Sequence, residues 1–454
     1  MELKTVLLFA HECAPYHHAE GTIGAQRPAQ FAAHLPEFGW RAIVVCCDGK
    51  RRRVAGRGDR EAVETEVAQR LAEADPETSL IVPTPSLTSD GAIDAAWTRL
   101  HQRADTGVLS APRRMLTLAK YPLGDQSQPW QPCARWAAEV IARECAIDVC
   151  VGEHGPDAGL FLARWFHESH GVPWVADFRD PILRPFEGVL HNVYRPFARR
   201  LVATAEHVVN VTPYWAELDH DLFAVPTTCI PNGFDPAEFP PDDPDKPDEP
   251  DGSDETFTVS YTGNLVREQP IELALEAWAA FVSTLAPDER ESVRLVYRGY
   301  SLDRVRSAAA NLDLGATLDA GERIARDEAL RLLQRSDLLL LFSAADSDQR
   351  SCLFHGLYPG KVFEYFGARR PILCVPGDNG QLDALLEETR TGVIRTTLDD
   401  IAGFFTQAFA EWQRGGRVGY APDEAAVARY ERHAQARVFA SILDTVAQSR
   451  AKAA

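Results

Sequence analysis

Short apolar runs of strand length alternate along this chain with longer stretches whose apolar residues recur every three or four positions. In the first half, 5–10 (TVLLFA), 41–47 (RAIVVCC), 147–151 (IDVCV), 172–176 (VPWVA) and 207–211 (HVVNV) are short and rich in β-branched residues. Such runs predict strands, with helices expected between them at 25–36, 134–146 and 158–170. The stretch 50–125 fits this rhythm poorly and reads as loops or an insertion. The second half repeats the scheme through 257–262 (FTVSYT), 293–297 (VRLVY), 338–342 (LLLLF), 371–375 (PILCV) and 392–396 (GVIRT). Ile271, Ala274, Leu275, Trp278, Phe281, Val282 and Leu285 share one helix face, with Pro270 suited to its first turn. Val427, Tyr430, Ala434, Val438, Ile442 and Val446 are expected along one face of a long terminal helix. Strand–helix alternation in both halves predicts an α/β protein with two doubly wound domains. In such sheets ligands bind beyond the carboxyl ends of the strands, which here means an interdomain cleft.

The length of 454 residues suits two or three domains. Residues 240–255 (PPDDPDKPDEPDGSDE) hold eight acidic side chains and one lysine, and cannot bury enough apolar surface to fold. They read as an acidic tether and set the domain boundary. The expected divisions are 1–239, the tether 240–255, 256–422, and a terminal helix within 423–454. A net charge of −19 disfavours nucleic acid, whose phosphates such a surface repels. Nine cysteines lack any C-x-x-C pair, and Cys46, Cys47 and Cys374 lie in apolar runs as small core residues, which suits a reducing cytoplasm. The first residues read as a buried strand, not a secretory signal, and no apolar run is long enough to span a membrane.

Four places carry candidate chemistry. After the first strand, residues 11–24 (HECAPYHHAEGTIG) hold three histidines, but the spacing and Pro15 argue against a metal site. Gly21 and Gly24 would instead let backbone approach a ligand just before a helix start, unless they form an ordinary turn. After the run 172–176, Asp177 and Asp180 flank Arg179 and either face a ligand or satisfy one another. His154 holds the matching place after 147–151, where an imidazole can hydrogen-bond a sugar hydroxyl or take a proton, or lie at the surface. In the second half, Gly263-Asn264 end a strand, with Arg267 after them. Residues 355–372 (HGLYPGKVFEYFGARRPI) place His355, Gly356, Gly360 and Lys361 before a helix, with Val362 and Glu364 in its first turn. Backbone N–H groups, Arg267 and Lys361 suit a diphosphate held without metal, and Glu364 can accept both hydroxyls of a ribose.

With these motifs the chain resembles the GT-B-fold glycosyltransferases, especially the branch like glycosyltransferase family 4. The resemblance runs from the Gly-rich loop into Gln26-Arg27, through 177–181 (DFRDP), 231–235 (PNGFD) and 263–265 (GNL), to 360–365 (GKVFEY) and 370–373 (RPIL). It implies two Rossmann-like domains, the first binding the acceptor and the second a nucleotide sugar, with the terminal helix crossing back. Glu364 looks like the ribose-binding glutamate, and Lys361 and Arg267 resemble the cations that neutralise the leaving diphosphate. The family pairs two glutamates eight positions apart. The first falls here on Gly356, which has no side chain, and His355 beside it is the candidate substitute. By position, Arg323 and Ile324 lie in the loop expected to meet the base, and Gly21, Gly24, Arg27, Asp177, Arg179 and Asp180 in the acceptor region.

The implied reaction moves a sugar from a UDP-, GDP- or dTDP-linked donor to an unidentified small-molecule, glycan or lipid-linked acceptor. It is expected to proceed with retention and without a cofactor or metal, catalysed by His154, Arg267 and Lys361. Asp346-Ser347-Asp348 spells a metal-binding pair but reads as an acidic turn. Two alternatives are a catalytically silent nucleotide-sugar binder or partner activator, motivated by Gly356 and Asn264, and a nucleotide-sugar epimerase. The location is expected to be cytoplasmic; basic and apolar residues mix at 50–57 and 113–120, which read first as solvated loops, with peripheral membrane contact as the alternative.

Overall fold

The computed structural model describes residues 3–16, 23–52, 57–87, 127–183, 189–239, 256–266, 269–343 and 356–453. The acidic segment 240–255, Gly21, Arg267, His355, the Asp346–Asp348 pair and the basic segment 113–120 lie outside the described residues. The chain forms two compact units, Met1–Pro231 with Gln435–Ala454, and Asn232–Ala434.

The first unit holds seven strands, β1 (Lys4–Phe9), β2 (Trp40–Arg52), β3 (Leu80–Leu87), β4 (Val149–His154), β5 (Trp174–Phe178), β6 (His207–Asn210) and β7 (Thr227–Cys229). They form one parallel sheet in the order β3-β2-β1-β4-β5-β6-β7. Both faces are covered. Leu7 and Phe9 of β1 enter one core, while Val6 and Leu8 enter the other. That is why the strand reads as an unbroken apolar run.

The second unit repeats the plan with β8 (Phe257–Thr262), β9 (Val293–Arg298), β10 (Leu318–Gly321), β11 (Leu338–Leu341), β12 (Ile372–Cys374) and β13 (Gly392–Ile394). The order is β10-β9-β8-β11-β12-β13, again all parallel. Leu338 and Leu340 face one core and Leu339 and Leu341 the other. In each sheet the strand order reverses next to the first strand, between β1 and β4 and between β8 and β11. Doubly wound sheets bind ligands at such points, at the carboxyl ends of the strands.

Two expectations change. The stretch 50–125 is not all loop, since it contains the helix Arg57–Glu73 and the strand β3. β3 carries Pro83 and Pro85, tolerated because it lies at the sheet edge, where a missing N–H breaks no ladder on its open side. The terminal helix runs Arg432–Ala453, so Val427 and Tyr430 precede it, and Val438 is 45% exposed. Its buried face is instead Ala436, Phe439, Ala440, Leu443 and Val446 with Ile442, and Phe439 stacks on Phe31 with ring centres 4.5 Å apart. Among the described residues no helix is long and apolar enough to cross a membrane.

Candidate functional site

In the second unit, β8 ends at Thr262 and the chain turns at Gly263, whose φ of +111° is a conformation that side chains disfavour. A methyl group there would lie 2.7 Å from Cε and 2.8 Å from Nζ of Lys361. Gly263 therefore seats the lysine directly on its own backbone. Lys361 opens the helix Lys361–Ala368, and its ammonium sits 5.1 Å from the centre of the Tyr261 ring. Burial pushes its pKa down, and the carboxylate of Glu364 pulls the other way. Among the described residues this ammonium has no hydrogen bond or ion pair. It also sits at the positive end of a helix dipole, where a cation is disfavoured.

The rest of the second-unit candidates divide. Glu364 stands one turn into the helix and binds Arg326, which also reaches Glu238. Val362 donates its backbone N–H to the Pro359 carbonyl at 3.0 Å, while the amides of Gly360 and Lys361 have no backbone partner among the described residues. Asn264 accepts from the Tyr261 hydroxyl at its carbonyl and from Ser301 at its side chain, which ties the turn down. Gly356 is a buried turn residue. Arg323 lies over the ring of Tyr300, which is 71% exposed. Ile324 lines a groove of about 790 Å³ with Arg298, Asp319 and Arg331; Gly263, Lys361 and Glu364 do not line it.

In the first unit, the expected Asp177–Arg179–Asp180 cluster splits. Asp177 pairs with Arg27 through two bonds of 2.9 Å, and Arg27 also donates to the carbonyls of Ile230 and Pro231. Arg27 has no exposed surface, so it fixes the end of β5 and presents nothing to a ligand. Arg179 is wedged against two glycines. A methyl on Gly24 would lie 1.5 Å from its guanidinium, and one on Gly155 3.2 Å away. The close approach that Gly24 permits is thus made by Arg179. Its charge is met by Glu12 at 3.4 Å and Glu153 at 3.6 Å. Asp180 acts electrostatically on both Arg179 and His154.

His154 and Glu153 are buried at the end of β4, and among the described residues Nδ1 of His154 and Oε1 of Glu153 have no hydrogen-bond partner. Burial alone would lower the His154 pKa, but Asp157, 2.9 Å from Nε2, outweighs it and the pKa is raised. The charged imidazole is thus favoured more than in a free histidine, and Nδ1 is the nitrogen left facing away from Asp157. Burial pushes Glu153 up to about 8, with Arg179 opposing. Between pH 4.5 and 8 the folded protein keeps a proton that the unfolded chain has released, so this group's contribution to stability falls as pH rises through that window. Glu153→Gln removes that loss. The variant is expected to match the parent at pH 5 and to exceed it at pH 8, with the gap growing by at most about 1.4 kcal/mol per pH unit. Chemical denaturation at both values checks this; an equal gap at both would contradict it.

Glu153, Asp157, Tyr300 and Arg326 were not singled out in the sequence. Glu153 was visible as an acid directly after an apolar run, and Tyr300 as an aromatic just after β9.

No protein-family model matches the chain, and no curated protein matches it in sequence. Solved structures do match over nearly its whole length. A glycosyltransferase from Rickettsia africae is 13% identical, with a TM-score of 0.56, covering 98% of this chain and 99% of that one. The fold is GT-B. A UDP-forming α,α-trehalose-phosphate synthase from Burkholderia xenovorans, solved with glucose-6-phosphate, has a TM-score of 0.60 at 10% identity, covering 97% of this chain and all of its own. HepE from Anabaena, solved with UDP and glucose, has a TM-score of 0.51 at 15% identity, covering 99% of both chains.

Proposed function

We propose that this chain is a glycosyltransferase of the kind found in family 4, moving a sugar from a nucleotide diphosphate sugar to an acceptor hydroxyl. The observation that carries the reading is the ammonium of Lys361, seated on Gly263 at the end of β8, without a hydrogen bond or ion pair among the described residues and one turn from Glu364. A leaving diphosphate supplies that missing partner, and Glu364 receives the ribose. The GT-B fold shared with UDP-binding HepE supports a UDP-linked donor.

In this reaction the bond from the anomeric carbon to the diphosphate breaks and a bond to the acceptor oxygen forms. Negative charge develops on the departing phosphate, where Lys361 and the amides of Gly360 and Lys361 stabilise it electrostatically. The leaving phosphate oxygen takes the acceptor proton on the same face, which retains the anomeric configuration. Cation neutralisation of this kind needs no metal. Tyr300 offers its exposed face to the base, with Arg323 beside it. In the first unit, Nδ1 of His154 makes a hydrogen bond to a substrate hydroxyl, and Arg179 with Asp180 contacts the acceptor. Arg27 and Asp177 act by holding β5.

A thermal-shift screen of UDP, GDP, dTDP and ADP tests the donor site. A ligand at one hundred times its dissociation constant stabilises by about 2.7 kcal/mol. UDP is expected to stabilise the protein equally with and without EDTA. No shift with any nucleotide, or a shift that requires Mn²⁺, would contradict the reading.

A further inference from the structure

Arg326 opens the helix Arg326–Arg335, the end at which a helix dipole disfavours a cation. It is held there by carboxylates from two other segments. One terminal nitrogen donates to Oε1 of Glu364 at 2.5 Å and the other to Oε2 of Glu238 at 2.9 Å. Its Nε is buried and has no hydrogen-bond partner among the described residues, so the guanidinium is committed to this bridge despite a donor left unmet there. A partly buried ion pair is weak evidence for stability, and in some proteins it serves to fix a geometry.

The geometry fixed is that of Glu364. Its side chain is 19% exposed, Oε1 is engaged by Arg326, and Oε2 accepts no hydrogen bond among the described residues. An unrestrained carboxylate rotates and offers either oxygen in many orientations. Anchored through Oε1, its plane is set, with Oε2 and the second lone pair of Oε1 open. A ribose presents two adjacent hydroxyl donors, and these two acceptor positions match them. We propose that Arg326, itself braced by Glu238, is a positioning residue that orients Glu364 for the 2′ and 3′ hydroxyls of the nucleotide ribose. The inference rests on the reading above that Glu364 holds that ribose. It makes Arg326 a determinant of ribonucleotide over deoxyribonucleotide selection, without contact to the sugar.

The test is calorimetric titration of the full chain with UDP, GDP and their 2′-deoxy counterparts. A hydroxyl bonded to an oriented carboxylate is worth about tenfold in affinity, so the parent is expected to prefer a ribonucleotide to its deoxy form by about that factor. Arg326→Met is expected to bring the preference to about twofold, chiefly by weakening the ribonucleotide. Arg326→Lys keeps one donor and should recover part of it. Glu238→Gln loosens the brace and should fall between parent and Arg326→Met, which also carries the test if the arginine variants fail to fold. A parental preference retained in Arg326→Met and Glu238→Gln would overturn the proposal. So would equal weakening of both nucleotides, the mark of a merely structural role. No preference in the parent would overturn the ribose role of Glu364 itself, and the proposal with it.

Discussion

Lys361→Ala is expected to lower kcat by about 10²–10³ in a protein that remains folded. The two halves of that expectation have separate causes. The ammonium is desolvated against Gly263 and Tyr261, with no ion pair among the described residues, so its removal relieves an electrostatic penalty in the unliganded protein. The melting temperature should hold or rise slightly. In the proposed reaction the catalytic loss arises because the contact strengthens as further negative charge develops on the departing phosphate. Steady-state kinetics beside a thermal melt checks both. Near-normal kcat would move the work of charge neutralisation to another cation.

Arg27→Met is expected to produce the largest stability loss. It leaves Asp177, only 3% exposed, as a buried carboxylate without its two 2.9 Å partners. Breaking one side of such a pair costs about 3–5 kcal/mol. At about 2–4 °C per kcal/mol for a unit of this size, the melting temperature should fall by roughly 10 °C. The double variant Arg27→Met with Asp177→Leu removes both charges and should recover much of the loss. Equal instability in the single and double variants would mean that packing of Arg27 on Phe31, not the ion pair, dominates.

The central strands were legible because burial on both faces demands unbroken apolar runs. All ten runs named from the sequence became strands. The three that escaped notice, β3, β7 and β10, are edge strands, where one open side admits Pro83, Pro85 or Asp319. The site was legible where backbone needs dictate residue type. Gly263 and Lys361 form a contact that only a glycine permits. What escaped was the choice of partners. Arg27 finds Asp177 across 150 positions, so three neighbouring charges at 177–180 gave no sign that they serve different partners. Arg326 was hidden for a similar reason. In a charged helix of ordinary composition, only the fold reveals that one arginine turns toward Glu238 and Glu364.

The central claim is that the Lys361 site supports sugar transfer and not binding alone. Mass spectrometry of UDP-, GDP- and dTDP-sugars incubated with the protein and a pooled extract of small molecules, glycans and lipids measures this directly. The account predicts release of a nucleoside diphosphate with a matching glycosylated product, undiminished by EDTA and nearly abolished in Lys361→Ala. Donors that bind but are never consumed would contradict it and leave a silent nucleotide-sugar binder, the outcome to which Gly356 would then be the key. A changed sugar nucleotide formed without any acceptor would contradict it equally, and identify an epimerase.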